Sequence, residues 1–233
     1  GAVEIVCLDL LLDGNKLGNN VQVYPRFLLE IGEDRRKPHE CLAFMEVIKA
    51  VHFSDCEEVE VWTKSGLVTF YLLFVMELKT RRVHFAGYTT SPHDAWVKQM
   101  ARELTNHEDG FLNGKRYLIM DRDTKFCESF RAFLSNEDVE PVRLPPRSPN
   151  MNAHLERFFG SLKSECLDRL ILFGEKAMRN AVKQYLAHYH AERPHQGLDN
   201  ELIVPLEHPP VVDANIESNE RLGGLLRSYR RAA

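Results

Sequence analysis

Residues Val68 to Leu78 read Val-Thr-Phe-Tyr-Leu-Leu-Phe-Val-Met-Glu-Leu and hold a single charge. A run this short and this rich in β-branched and aromatic side chains predicts a buried strand. Its longest apolar run, Leu72 to Met76 with Phe70 and Tyr71 before it, is far below the roughly 20 residues that a membrane helix needs. A buried strand requires neighbours. Val59 to Trp62 supplies a short one, and Arg82 to Thr90 supplies another, with Val83, Phe85 and Gly87 alternating against His84, Ala86 and Tyr88. Lys79, Thr80 and Arg81 between the last two runs predict a hairpin turn.

Helices and further strands alternate after that. Ser91-Pro92-His93-Asp94 has the form of a helix start, with Ser91 as N-cap, Pro92 in the first helical position and an acid at the third. Trp96, Val97, Met100, Ala101 and Leu104 follow at helical spacing. Tyr117 to Met120 is a short apolar strand ending at Asp121, and Asp123 can cap a helix that buries Phe126, Phe130, Phe133 and Leu134. Val139 to Leu144 is a strand closed by Pro145 and Pro146. A helix from Pro149 or Asn152 to Leu167 comes next, and a second from Gly174 to Glu192 is stopped by Pro194. This order predicts an α/β fold with a mixed sheet.

The ends of the chain read differently. Val3 to Leu12 is strand-like, Gly14 to Asn20 turn-rich and Glu33 to Lys37 a solvated charge run, with no helix-turn-helix pattern. The expected division is an N-terminal segment of unknown role over 1–50, a core over 51–200, and a linker with a basic tail over 201–233.

At 233 residues one main domain is expected. Five scattered cysteines form no C-x-x-C pair, so neither a disulfide framework nor a cysteine zinc site is indicated, and a reducing, cytoplasmic setting fits. No charged and apolar leader opens the sequence. The net charge of −4 is uneven: residues 1–60 carry 12 acids and 6 bases, the rest 22 acids and 24 bases, and residues 221–233 four arginines and no acid. A mildly basic body is compatible with DNA binding.

Two carboxylates stand out. Asp121 sits where an apolar strand stops, where α/β sheets expose functional side chains; capping or solvating the strand end is the plain alternative. On the following long helix, Leu155, Phe158, Phe159, Leu162 and Cys166 form one stripe. At about 100° per residue, Glu156, Gly160 and Lys163 align on its edge. Glu156 there can lean over the sheet's rim, and Lys163 can meet a phosphate. An ordinary solvated glutamate is the alternative.

The run Leu118-Ile119-Met120-Asp121-Arg122-Asp123-Thr124-Lys125-Phe126, then Ser148-Pro149-Asn150 and Leu155-Glu156-Arg157-Phe158-Phe159 with Lys163, resembles the catalytic core of bacterial insertion-sequence transposases and retroviral integrases. That family is named for its Asp, Asp, Glu triad, with about 35 residues between the last two; here 34 lie between Asp121 and Glu156. Arg193-Pro194-His195 resembles a box after the family's last core helix, although each of these residues is best read singly as part of a helix stop. The first Asp of the family lies just before a Val-Glu-Val-Trp-Thr run; Val59 to Thr63 is that run, and Asp55 holds the matching place. Cys56, Glu57 and Glu58 stand where the family has aromatics, which leaves Glu57 and Glu60 as substitutes.

The resemblance implies an RNase H-like fold with a mixed five-stranded sheet flanked by helices. It also implies a metal-dependent transposase or integrase that cleaves DNA ends and transfers strands. Asp55, Asp121 and Glu156 would be the catalytic carboxylates and hold Mg²⁺ or Mn²⁺, two ions in all, since hard cations prefer oxygen ligands. Lys163, Arg157, Arg143 and Arg147 would contact DNA. The partners would be double-stranded DNA and further copies of the chain, in a bacterial cytoplasm. The rival readings are a catalytically degenerate element remnant and a purely hydrolytic RNase H-like nuclease.

Overall fold

The computed structural model describes residues 50–53, 56–120, 126–143, 153–206 and 215–231. The apolar run is the spine of the fold. Glu57–Thr63 (β2) pairs antiparallel with the first half of Gly66–Glu77 (β3), from Thr63↔Gly66 to Glu57↔Leu72. Ala50–Phe53 (β1) pairs with its second half, from Phe53↔Val75 to Val51↔Glu77. Thus β1 and β2 lie end to end along one side of β3 and fill a single position in the sheet.

Val83–Thr89 (β4) pairs antiparallel with the other side of β3. Tyr117–Met120 (β5) runs parallel to β1, and Glu140–Arg143 (β6) parallel to β5. The five positions, in order, are β4, β3, β1 with β2, β5 and β6. This is the mixed five-stranded sheet expected, with helices on both faces.

Helices cover both faces. Under Ala153–Glu165 (α3) and Gly174–Ala191 (α4), the β2 and β3 side chains Val59, Val61, Leu72, Phe74 and Met76 meet Leu155, Phe158, Leu162, Val182 and Tyr185. Under Asp94–Leu104 (α1) and Glu128–Asn136 (α2), Leu73, Val75, Leu118 and Met120 meet Val97, Met100, Leu104, Phe130 and Leu134. β3 is therefore buried from Leu72 to Met76 on both sides. A strand with no solvent face cannot alternate, which explains its continuous apolar sequence.

Three local expectations need correction. The N-cap of α1 is His93, whose Nδ1 accepts the Trp96 N–H, and not Ser91. The helix therefore begins at Asp94, and Pro92 precedes it. The N-cap position of α2 is Cys127, with no side-chain cap bond; Asp123 lies outside the described residues. The tail is not an open chain, because Ile216–Arg221 (β7) and Leu226–Arg231 (β8) form an antiparallel hairpin. Its Leu226 is buried in the α3–α4 core, and its Arg221 donates from Nε and Nη2 to Glu192 Oε1 at the end of α4. Val3 to Leu12, Gly14 to Asn20 and Pro149 lie outside the described residues. Among the described residues no helix is long and apolar enough to cross a membrane.

Phe74 is fully buried, with ring centroids 5.2 Å from Phe158 and 5.1 Å from Phe85. Phe74→Ala should cost about 3–5 kcal/mol in chemical denaturation; a loss under about 1 kcal/mol would show that this core repacks freely.

Candidate active site

Parallel pairing puts the ends of β1 and β5 side by side, with Phe53 and Met120 as register partners. Asp121 follows Met120 directly, and Asp55 follows Phe53 by two residues. Both aspartates lie outside the described residues, as does Arg147. Arg143 is exposed and is the register partner of Met120 on the far side of β5. The chain thus approaches Asp55 and Asp121 at the same end of adjacent parallel strands, with a cation at that end of β6.

Glu156 is exposed in the first turn of α3. Leu155, Phe158, Phe159 and Leu162 anchor the other side of the helix in the core, so Glu156, Gly160 and Lys163 share an exposed edge, as their spacing predicts. A Cβ at Gly160 would meet nothing within 4 Å, so the surface between the two charged residues is open to a ligand backbone.

Lys163 is engaged. Its Nζ pairs with Oε1 of Glu57, on the strand face that Val59 and Val61 share. The Glu57 carboxylate, which accepts from the Lys163 ammonium, holds it above its ordinary range despite some burial. This pair ties the Glu156 edge of α3 to a residue two positions beyond Asp55. Glu60 does not fit as a substitute for Asp55. It is exposed on the opposite face of β2 from the side that packs under α3 and α4. Arg157 is exposed beside Glu156.

The Arg-Pro-His box is structural. Arg193 Nη2 donates to Glu165 Oε1 at 2.7 Å, and the same carboxylate accepts from the Tyr185 hydroxyl through Oε2 at 3.4 Å. His195 is buried and donates from Nε2 to the Tyr189 carbonyl at 2.7 Å, with its ring edge-on to Tyr189. One role went unread in the sequence: Glu192 also accepts from Asn219 and pairs with His188. Burial raises its pKa, but the bonds from Arg221 and His188 outweigh that and lower it. The signal was there in the acidic Glu192 and the basic tail, at complementary charge.

Among the described residues no three His, Cys, Asp or Glu side chains cluster to hold a metal; two of the three expected carboxylates are not among them.

Residues 137–201 match the family model described as an integrase core domain. The chain resembles the integrase and transposase cores. The match spans β6, α3, α4 and the Arg-Pro-His box, and so takes in Glu156 and Lys163. A 39.2 kDa insertion element IS476 protein of Xanthomonas euvesicatoria, itself uncharacterized, is 28% identical over 86 residues, 36% of this chain. The aligned part spans only 25% of that relative's length. Among solved structures, the catalytic domain of Mos1 mariner transposase is similar at 12% identity and a TM-score of 0.48, over 64% of this chain and 76% of that one. The HTLV-2 integrase catalytic core in complex with magnesium gives 10% identity and a TM-score of 0.47, over 67% and 93%.

His190, at the end of α4, accepts the Val83 N–H at Nε2. Burial, with Arg82 and His195 nearby, pushes its pKa down to about 4, and burial lowers His195 as well. A histidine kept neutral when folded stabilises fully above the unfolded value near 6.5, and that stability is lost as pH falls toward the folded value. Urea midpoints should therefore drop between pH 7 and pH 4.5, and His190→Gln should shrink the drop. An equal drop in the variant would assign the acid sensitivity elsewhere.

Proposed function

We propose that this chain is a DNA strand-transfer enzyme of the transposase or integrase type, with Asp55, Asp121 and Glu156 as its catalytic carboxylates. The observation that carries this reading is the adjacency of Phe53 and Met120 at the ends of two parallel strands. Each strand leads within two residues to one of the expected aspartates. The Lys163–Glu57 pair supports it by fixing the exposed Glu156 edge to the first residue of β2, two positions after Asp55 in sequence.

The donor set fits Mg²⁺ or Mn²⁺, because all three expected ligands offer carboxylate oxygen and neither thiol nor imidazole is needed. Divalent ions held there would stabilise charge on the attacking and leaving oxygens of a phosphodiester. The chain's own work is to place DNA. Lys163, Arg157, Arg143 and Arg147 hold phosphates in this reading, and Lys163, whose pKa is raised, exchanges its Glu57 partner for a phosphate without losing its proton. Double-stranded DNA is the substrate, as element end and as target, and further copies of the chain assemble on it.

Glu156→Gln separates this chemistry from folding. It keeps size and helix position but removes a ligand charge. Strand transfer of labelled element ends in Mg²⁺ or Mn²⁺ should fall at least about a hundredfold, since metal stabilisation of the transition state is worth several kcal/mol. Stability should move by no more than about 0.5 kcal/mol, as for an exposed side chain. A folded variant with unchanged transfer would defeat the assignment. A wild-type chain inert on its own ends would favour the degenerate remnant.

A further inference from the structure

A groove of about 770 Å³ opens between the edge strand β4 and helix α4, at the opposite edge of the sheet from β6. Its floor is apolar, formed by Val83, Phe85, Val182 and Leu186. Its rim carries Lys176, Arg179 and Lys183, all exposed, at positions i, i+3 and i+7 of α4. Among the described residues no acidic one lines it. Arg179 lies 6.0 Å over the Tyr88 ring, and the Tyr88 hydroxyl donates to the neighbouring Glu175. Among the described residues, Lys176 and Lys183 have no acidic partner.

Strand addition to β4 does not suit this edge. The Val83 N–H is already given to His190. The register with β3 also slips between Leu73 and Phe74, which pair with Gly87 and Phe85 and skip Ala86, and a bulge of this kind blunts an edge. A nucleic-acid duplex would meet the cations but leave the apolar floor uncovered. The combination fits a helix that lays an apolar face into the groove and acidic flanks against the rim. Seven residues of α4 rise about 10.5 Å, and carboxylates at the same spacing on a second helix would match all three cations.

We propose that the β4–α4 groove docks an acidic amphipathic helix of a protein partner. The proposal is independent of the carboxylate chemistry at the other end of the sheet.

A fluorescein-labelled peptide serves as the probe, with leucines on one face flanked by glutamates and about 18 residues long, because shorter helices are marginal in water. Anisotropy titration with the full chain should show saturable binding. The double variant Lys176→Glu with Lys183→Glu should weaken it at least about tenfold, and added salt should weaken it further. Both lysines are exposed, and a thermal melt of the double variant verifies its fold. The same peptide with lysine in place of glutamate should not bind. Absence of saturable binding, equal binding by the double variant, or equal binding of the lysine peptide would each overturn the proposal. So would a double variant that loses affinity for a short DNA duplex while the wild-type chain ignores the acidic peptide, since the stripe would then be a phosphate contact.

Discussion

Phe53 and Met120 are neighbours across two parallel strands more than sixty residues apart in sequence. Parallel strands cannot be joined by a tight turn, so the intervening chain has to leave the sheet, cross it and return. Here it builds β2, β3, β4 and α1 on the way. Everything proposed for the site depends on that pairing, because it brings two chain segments, each about to deliver an aspartate, to the same end of the sheet.

The rest of the core protects this seam. Leu72 to Met76 of β3 fill both hydrophobic layers at once, so the two helical pairs are coupled through one strand. α3 is held by its buried stripe and by the contacts of Glu165 with Arg193 and Tyr185. That second tie leaves the Glu156–Gly160–Lys163 edge exposed while the helix itself is fixed. A catalytic carboxylate on a helix anchored in the core loses little to reorganisation when substrate arrives. The tail hairpin closes α4 from outside through Arg221 and Glu192.

Strand and helix types were legible wherever burial imposes a period. β3 announced itself by its length and continuous apolarity, and α3 by its stripe. What sequence reasoning missed has physical causes. The Ser91 cap failed because the His93 ring accepts the Trp96 N–H, so the helix starts at Asp94, two residues later than a Ser91 cap would place it. The tail hairpin was hidden because β7 is exposed almost throughout and so shows no alternation. Its signals were different ones, namely the Gly223-Gly224 turn and the cross-strand pairs Glu217–Arg230 and Glu220–Arg227. Glu57 was read as a spare carboxylate. The structure gives it Lys163, a partner more than a hundred residues away in sequence that no local pattern announces.

The measurement that bears most directly on the central claim is a crystal structure of the chain with Mn²⁺ and a DNA end, phased on the anomalous signal of the metal. A peak coordinated at about 2.1 Å by carboxylate oxygens of Asp121 and of Asp55 or Glu156, beside the ends of β1 and β5, is the expected result. A peak held by other residues, or Asp55 and Asp121 turned to opposite faces of the sheet with no metal between them, would contradict it.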